Sequence, residues 1–203
     1  MGFPKKEFIS QEEYLTLERL SIYKNEYFKG EIVPLNKNEI STTDIKAMSG
    51  VSFAHNKIFS NTFGILSAYL IGKKCAAFGS DLRINIPTNT LFTYPDISII
   101  CNDPEFTDDN FDTITNPTVI FEILSKSTRN YDLGEKFVLY RQIPTLKNYI
   151  LIDSESLKVI KYSKNVDESW LLTEMSSISD SFNLESLAVS LQLDSIFKDV
   201  KLT

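Results

Sequence analysis

The chain has 203 residues, 42% of them hydrophobic and 24% charged, a balance that excludes a disordered or fibrous chain and suits one sizeable domain better than two. Its net charge of −6 and pI of about 4.9 exclude a wholly basic nucleic-acid binder, so contact with DNA or RNA requires basic residues gathered on one face. No apolar run approaches the ~18 residues of a membrane helix, and no membrane partner is expected.

The first residues, MGFPKKEFIS, lack a signal-peptide core, and Lys6 stands where a myristoylation signal requires Ser or Thr. The expectation is a soluble, cytoplasmic chain. Cys75 and Cys101 both fall in apolar strand-like runs without a C-x-x-C or Cys/His pattern, so two buried free thiols are expected.

Ser10 followed by Glu13 in SQEEYLTLERL forms a capping-box pattern that opens a short helix. NEYF and EIVPL flank Lys29–Gly30 and read as a hairpin. After a polar connection, FAHNKIFSNTFGILSAYLIG places Ile58, Thr62, Ile65, Leu66 and Tyr69 at helical spacing, with Gly72 as a C-terminal stop. The period then changes to that of strands: CAAFG; DLRINI, with Leu82, Ile84 and Ile86 on one face; and LFTYPDISIIC, read as one buried strand. DPEFTDDNFDTITNP reads as an acidic surface loop. TVIFEIL is a strand, and Asp132 with Glu135 caps a helix through LGEKFVLYRQI that Pro144 ends. NYILID, LKVIKYS and SWLLTEM complete the sheet, the last two as a meander, and DSFNLESLAVSLQLDSIF packs back as a strand and a helix. Residues 1–203 thus read as a single domain, α+β or α/β, with a mixed sheet flanked by helices and an N-terminal helix and hairpin.

The chemistry lies in two acidic residues within apolar strand sequence, Asp96 in YPDISII and Glu122 in VIFEIL. A buried unpaired carboxylate costs more than the packing of one strand offsets. Adjacent central strands would bring the two together, where like charges repel unless they share a cation. One or two carboxylates, with waters and a substrate phosphate completing the shell, form the oxygen donor set that Mg²⁺ prefers, with Mn²⁺ as its substitute. On the following helix, Lys136 lies about 60° from the centre of the buried stripe, so its stem can reach inward and place an ammonium beside the carboxylates.

The combination of YPDISIIC, EILSKST and DLGEKFVLY, with EYFKGEIV, AHNKI and GSDLRI upstream, resembles the Uma-two family of restriction-endonuclease-like proteins, over about residues 10–200. That family is assigned to the PD-(D/E)XK nuclease superfamily. The resemblance implies a restriction-endonuclease-like fold, a Mg²⁺-dependent phosphodiesterase site, nucleic acid (DNA foremost) as partner, bacterial hosts and a homodimer. Asp96 then corresponds to the PD aspartate and Glu122 to the (D/E) residue. The superfamily lysine, expected at the next same-face position of the strand, is replaced by Leu124. Lys136 matches a lysine that the family carries on the next helix, and Lys126 is the competing choice.

Additional candidates are Glu31, matching an early acidic metal ligand, Asp81, near the site if its strand pairs with YPDISII, and His55, suited to a capping or supporting role. Ser125, Ser127, Thr128 and Arg129 suit phosphate binding and loop capping equally, and Tyr140 reads as a core residue. The favoured function is metal-dependent hydrolysis of nucleic-acid phosphodiesters. The alternative is a catalytically inactive module that keeps the nuclease fold for binding or assembly. A glycosidase with two carboxylates fits the acidic pair but leaves Lys136 without a role.

Overall fold

The computed structural model describes residues 8–35 and 52–202. Helix α1 (Gln11–Leu20) opens with the capping box: Glu13 N donates to Ser10 Oγ and Ser10 N to the Glu13 carboxylate. Strands β1 (Asn25–Phe28) and β2 (Glu31–Pro34) form the hairpin. Its turn residues Lys29 and Gly30 both have positive φ, 49° and 89°, the conformation that keeps a two-residue turn in step with strand twist. The polar connection lies almost entirely in 36–51, outside the described residues, as does Lys6. Helix α2 (Phe53–Leu70) starts where His55 N donates to the N-cap Ser52 Oγ, and Gly72, at φ 76°, turns the chain after it.

Strands β3 (Cys75–Gly79), β4 (Arg83–Ile86), β5 (Leu91–Thr93), β6 (Ile97–Cys101), β7 (Thr113–Ile114) and β8 (Val119–Leu124) follow. Helices α3 (Arg129–Leu133) and α4 (Glu135–Tyr140) lead to β9 (Asn148–Asp153), β10 (Val159–Lys164) and β11 (Trp170–Met175). The chain closes with β12 (Ser181–Leu184), β13 (Val189–Gln192) and α5 (Leu193–Ile196).

Among the described residues the strands form three sheets rather than one: β2-β1-β5-β4-β7, β11-β10-β9-β8-β6-β3 and β12-β13. The middle sheet is mixed, with β8 parallel to β9 and antiparallel to β6. Its pleat separates two cores. Val119, Phe121 and Ile123 pack with Ile58, Leu66 and Leu70 of α2, while Ile120 and Leu124 pack with Tyr140 of α4 and with Tyr149 and Leu151 of β9.

Several sequence expectations change here. LFTYPDISIIC is two strands in different sheets, β5 and β6, because the chain leaves one ladder at Pro95, which has no N–H to donate. Asp96 therefore stands at the entrance of β6 instead of inside a strand. The helix expected after Glu122 is split at Gly134 into α3 and α4, and Asp132 is buried instead of capping an exposed end. The acidic loop contributes β7, which pairs in parallel with β4. The tail forms the β12–β13 hairpin before its short helix. The cysteines are not free: β3 and β6 set Cys75 directly opposite Cys101, and the two form a disulfide. That register arises from tertiary pairing, which cysteine spacing alone does not encode.

Candidate active site

The register of β6 on β8 pairs Ile97 with Phe121, so the next step sets Asp96 beside Glu122. Ile123 N donates to Asp96 Oδ2 at 2.7 Å, and Asp96 N approaches Glu122 Oε2 at 3.4 Å. Glu122 thus accepts from the backbone of Asp96, and Asp96 from that of Ile123, the residue after Glu122. Alternation along β8 turns Glu122 to the face covered by α3 and α4, together with Ile120 and Leu124. Glu122 is buried, whereas the Asp96 side chain keeps 21% of its surface open.

Lys136, in the first turn of α4, comes to the same place. Its Nζ lies 2.7 Å from Glu122 Oε1 and 3.6 Å from both Glu26 Oε1 and Asp132 Oδ1, and all four side chains are buried. The Tyr140 hydroxyl donates to Glu122 Oε1 at 2.9 Å, and the Thr93 hydroxyl donates to Glu26 Oε1. Burial pushes the Glu122 carboxyl up to about 8; Lys136 opposes this, while Asp132 and Asp96 add to it. Burial likewise raises Asp132, against the pull of Lys136. For Lys136 itself burial would favour loss of the proton. The surrounding negative charge, Glu122 first, outweighs that and holds the ammonium charged. Three carboxyl groups share one cation, and the raised titration of Glu122 and Asp132 shows that a single ammonium does not fully offset them.

Of the remaining sequence candidates His55 reaches the acidic pair, and the others fall elsewhere. His55 is beside the acidic pair, with Nε2 3.4 Å from Asp96 Oδ2, and it lies in the first turn of α2, not before the helix. Asp81 is not part of the site: its side chain is 98% exposed and pairs with Lys24 at 2.5 Å, and the strand after it belongs to a different sheet from β6. Arg83 pairs with Asp112 at 3.1 Å. Glu31 is exposed at the turn end of β2, and the hairpin instead presents Glu26 to Lys136. Lys126 occupies the exposed turn after β8, where it lines a cleft shared with His55. Leu124, at the place of the superfamily lysine, fills the apolar core.

Glu26, Asp132 and the hydroxyl of Tyr140 were not among the sequence candidates. Asp132 and Lys136 stand at i,i+4 spacing, a signal present in the sequence but read as a cap. Glu26 and Glu31 sit on one hairpin and look alike locally. The pairing of Tyr27 with Phe92 of β5 buries Glu26 and leaves Glu31 at the rim.

Among the described residues no group of three or more His, Cys, Asp or Glu side chains is placed to enclose a metal ion. A divalent cation such as Mg²⁺ asks for less: one or two carboxylates, with waters and a substrate phosphate for the rest. Asp96 and Glu122 offer that donor set, and a cation there would take the place of the proton that burial favours on Glu122. Among the described residues no helix is long and apolar enough to cross a membrane.

The comparisons with known proteins agree with this architecture. The Uma2 (Uma-two) family, described as "putative restriction endonuclease", matches residues 11–195. Two uncharacterized proteins of Synechocystis sp. (strain ATCC 27184 / PCC 6803 / Kazusa) are similar. One, sll1609, is 36% identical over 80% of this chain and 85% of its own length. The other, slr1290, is 35% identical over 97% and 93%. The crystal structure of "a putative nuclease belonging to DUF820" from Anabaena variabilis superposes with a TM-score of 0.71 at 19% identity, covering 93% of this chain and 97% of that one. The fold is therefore the mixed α+β, restriction-endonuclease-like one, and the chain belongs to the Uma2 family.

Proposed function

We propose that the protein is a divalent-cation-dependent nuclease that hydrolyses phosphodiester bonds of nucleic acid, DNA foremost, with Asp96, Glu122 and Lys136 at the reacting centre. One observation carries this reading: Asp96, at the entrance of β6, and Glu122, on neighbouring β8, are tied by the Ile123 N–H to Asp96 at 2.7 Å and the Asp96 N–H to Glu122 at 3.4 Å, and a buried lysine from α4 stands 2.7 Å from Glu122. Family membership supports nucleic acid as the substrate.

When bound, Mg²⁺ or Mn²⁺ supplies Lewis-acid polarisation of a phosphoryl oxygen and a more acidic water. Asp96 and Glu122 would hold it, with Glu122 presenting Oε2, the oxygen turned to Asp96, while Lys136 and Tyr140 engage Oε1. Lys136 offsets the negative charge that develops on phosphate. Its ammonium is fixed by Glu122, Glu26 and Asp132, so no rearrangement is needed to bring it there. His55 supports Asp96 from α2.

Nicking of supercoiled plasmid with Mg²⁺ or Mn²⁺ tests the reading: the wild type nicks, and Asp96→Asn and Glu122→Gln do not. Equal nicking by wild type and both variants would sink it. A second reading, a non-catalytic module that binds nucleic acid, is favoured by the engagement of Lys136 with three carboxylates, as in a structural ion-pair cluster. It predicts no metal-dependent rise in melting temperature, whereas a metal-binding site predicts one that grows with cation concentration. Cutting both strands of a duplex calls for two such sites, so the proposal extends to a homodimer, measurable by light scattering.

A further inference from the structure

A cleft of about 530 Å³ adjoins the acidic pair, within the ~300–1,000 Å³ range of ligand sites. Ser52, Phe53, His55, Ser125, Lys126 and Lys201 are among its lining residues. It meets the proposed reacting centre at two points: His55 reaches Asp96, and Ser125 directly follows the strand that carries Glu122.

Its chemistry is unlike that of the rest of this acidic molecule. Lys126 and Lys201 are exposed, and among the described residues neither has an ion-pair partner. The carboxylate that also lines the cleft, Glu155, is engaged by Arg129 at 3.0 Å, and Arg129 also grips Asp153. The local field at the two lysines is therefore open to an anion. Ser125 Oγ is the hub of a hydroxyl cluster, 3.1 Å from both Ser127 Oγ and Thr128 Oγ1. At the N-terminus of the long helix α2, Phe53 stands 67% exposed. His55, which lines the cleft and is only 7% exposed, leaves its buried Nδ1 without a hydrogen-bond partner among the described residues. Unpaired cations beside an exposed aromatic ring are the pairing that holds single strands, phosphate on the charges and base on the ring.

We propose that this cleft is a subsite for an unpaired nucleotide of the substrate strand, with its phosphate on Lys126 and Lys201 and its base against Phe53. This rests on the reading of the protein as a nucleic-acid-binding enzyme and adds to it a preference for single-stranded or frayed substrate. A closed duplex cannot turn a base face onto the ring.

The experiment is fluorescence anisotropy of the full chain with a 20-nucleotide single-stranded DNA and the same sequence as duplex, in EDTA so that hydrolysis is silent. The wild type is expected to bind the single strand at least fivefold tighter. Phe53→Ala weakens single-strand binding about tenfold, within the range of one lost base stack. Lys126→Ala with Lys201→Ala weakens it by a similar factor and lowers the slope of log affinity against log salt by about 1.4, two single-strand phosphate contacts. Phe53, Lys126 and Lys201 are all exposed, so an unchanged melting curve accompanies each variant. Binding by these variants equal to wild type, tighter binding of the duplex, or no binding of DNA by the wild type overturns the subsite. The hydrolysis reading fails separately. Loss of binding in the variants with no Mg²⁺- or Mn²⁺-dependent nicking by the wild type leaves the subsite standing, while nicking with unaltered binding in the variants removes the subsite alone.

Discussion

The Lys136 ammonium lies 2.7 Å from Glu122 Oε1, and both side chains are almost wholly buried. Moving either charge out of water alone would cost several kcal/mol, so each is tolerable only because the other is there. Glu26 and Asp132 extend the pair into a cluster that joins the hairpin, α3, α4 and β8.

Removing the cation should therefore be severe. Lys136→Ala leaves three buried carboxylates uncompensated, and a loss of roughly 3–5 kcal/mol in urea unfolding is expected. The loss should be smaller at pH 5 than at pH 7.5, because Glu122 and Asp132, which burial already pushes up, then fold more readily as neutral acids. An equal loss relative to wild type at both pH values would show that Lys136 does not balance them.

The wild type should itself lose stability as pH rises. Glu122 titrates near 4.5 when unfolded and is pushed up to about 8 when folded, so the folded state binds the extra proton between these values. The associated stabilisation is full below pH 4.5 and falls away as pH rises through 8. Scanning calorimetry should show a decline of several degrees from this group across that window, flattened in Glu122→Gln. If the carboxylates hold a divalent cation, Mn²⁺ should restore more stability at pH 8 than at pH 5, because the cation competes with the proton.

Glu26 reaches Lys136 from the N-terminal hairpin, at 3.6 Å, and is itself fixed by the Thr93 hydroxyl. Glu26→Gln keeps the shape and the hydrogen bond but removes one of the charges that locate the ammonium. For the proposed hydrolysis the expected result is a fall in kcat of about tenfold with KM little changed, the scale of outer-shell partners. A change in KM alone would place Glu26 in substrate binding instead.

The disulfide between Cys75 and Cys101 ties edge strand β3 to β6, the strand that Asp96 precedes. Closing the span between positions separated by 26 residues is worth about 3.5 kcal/mol in the chain-entropy description. Cys75→Ser with Cys101→Ser should lower the melting temperature by several degrees. Dithiothreitol should do the same to the wild type and nothing to the double variant.

Much of this protein is settled along the chain. The Ser10–Glu13 capping box, the Lys29–Gly30 turn, the helical spacing of α2 and the apolar run of β8 each depend on neighbours a few positions away, so residue order alone determined them. Asp96, Glu122 and Lys136 stood out for the same reason, as charges placed in or beside apolar patterns. Partners set by long-range pairing were decided elsewhere. The β6–β8 register brings Asp96 to Glu122, β5 draws Glu26 inward while Glu31 stays at the rim, the break at Gly134 carries Asp132 into the cluster, and β3 on β6 joins the cysteines. A strand's own sequence states which face it buries, but not which strand lies beside it or at what offset. Only the folded sheet resolves that, because its energy is summed over contacts that the chain makes after it has closed its loops.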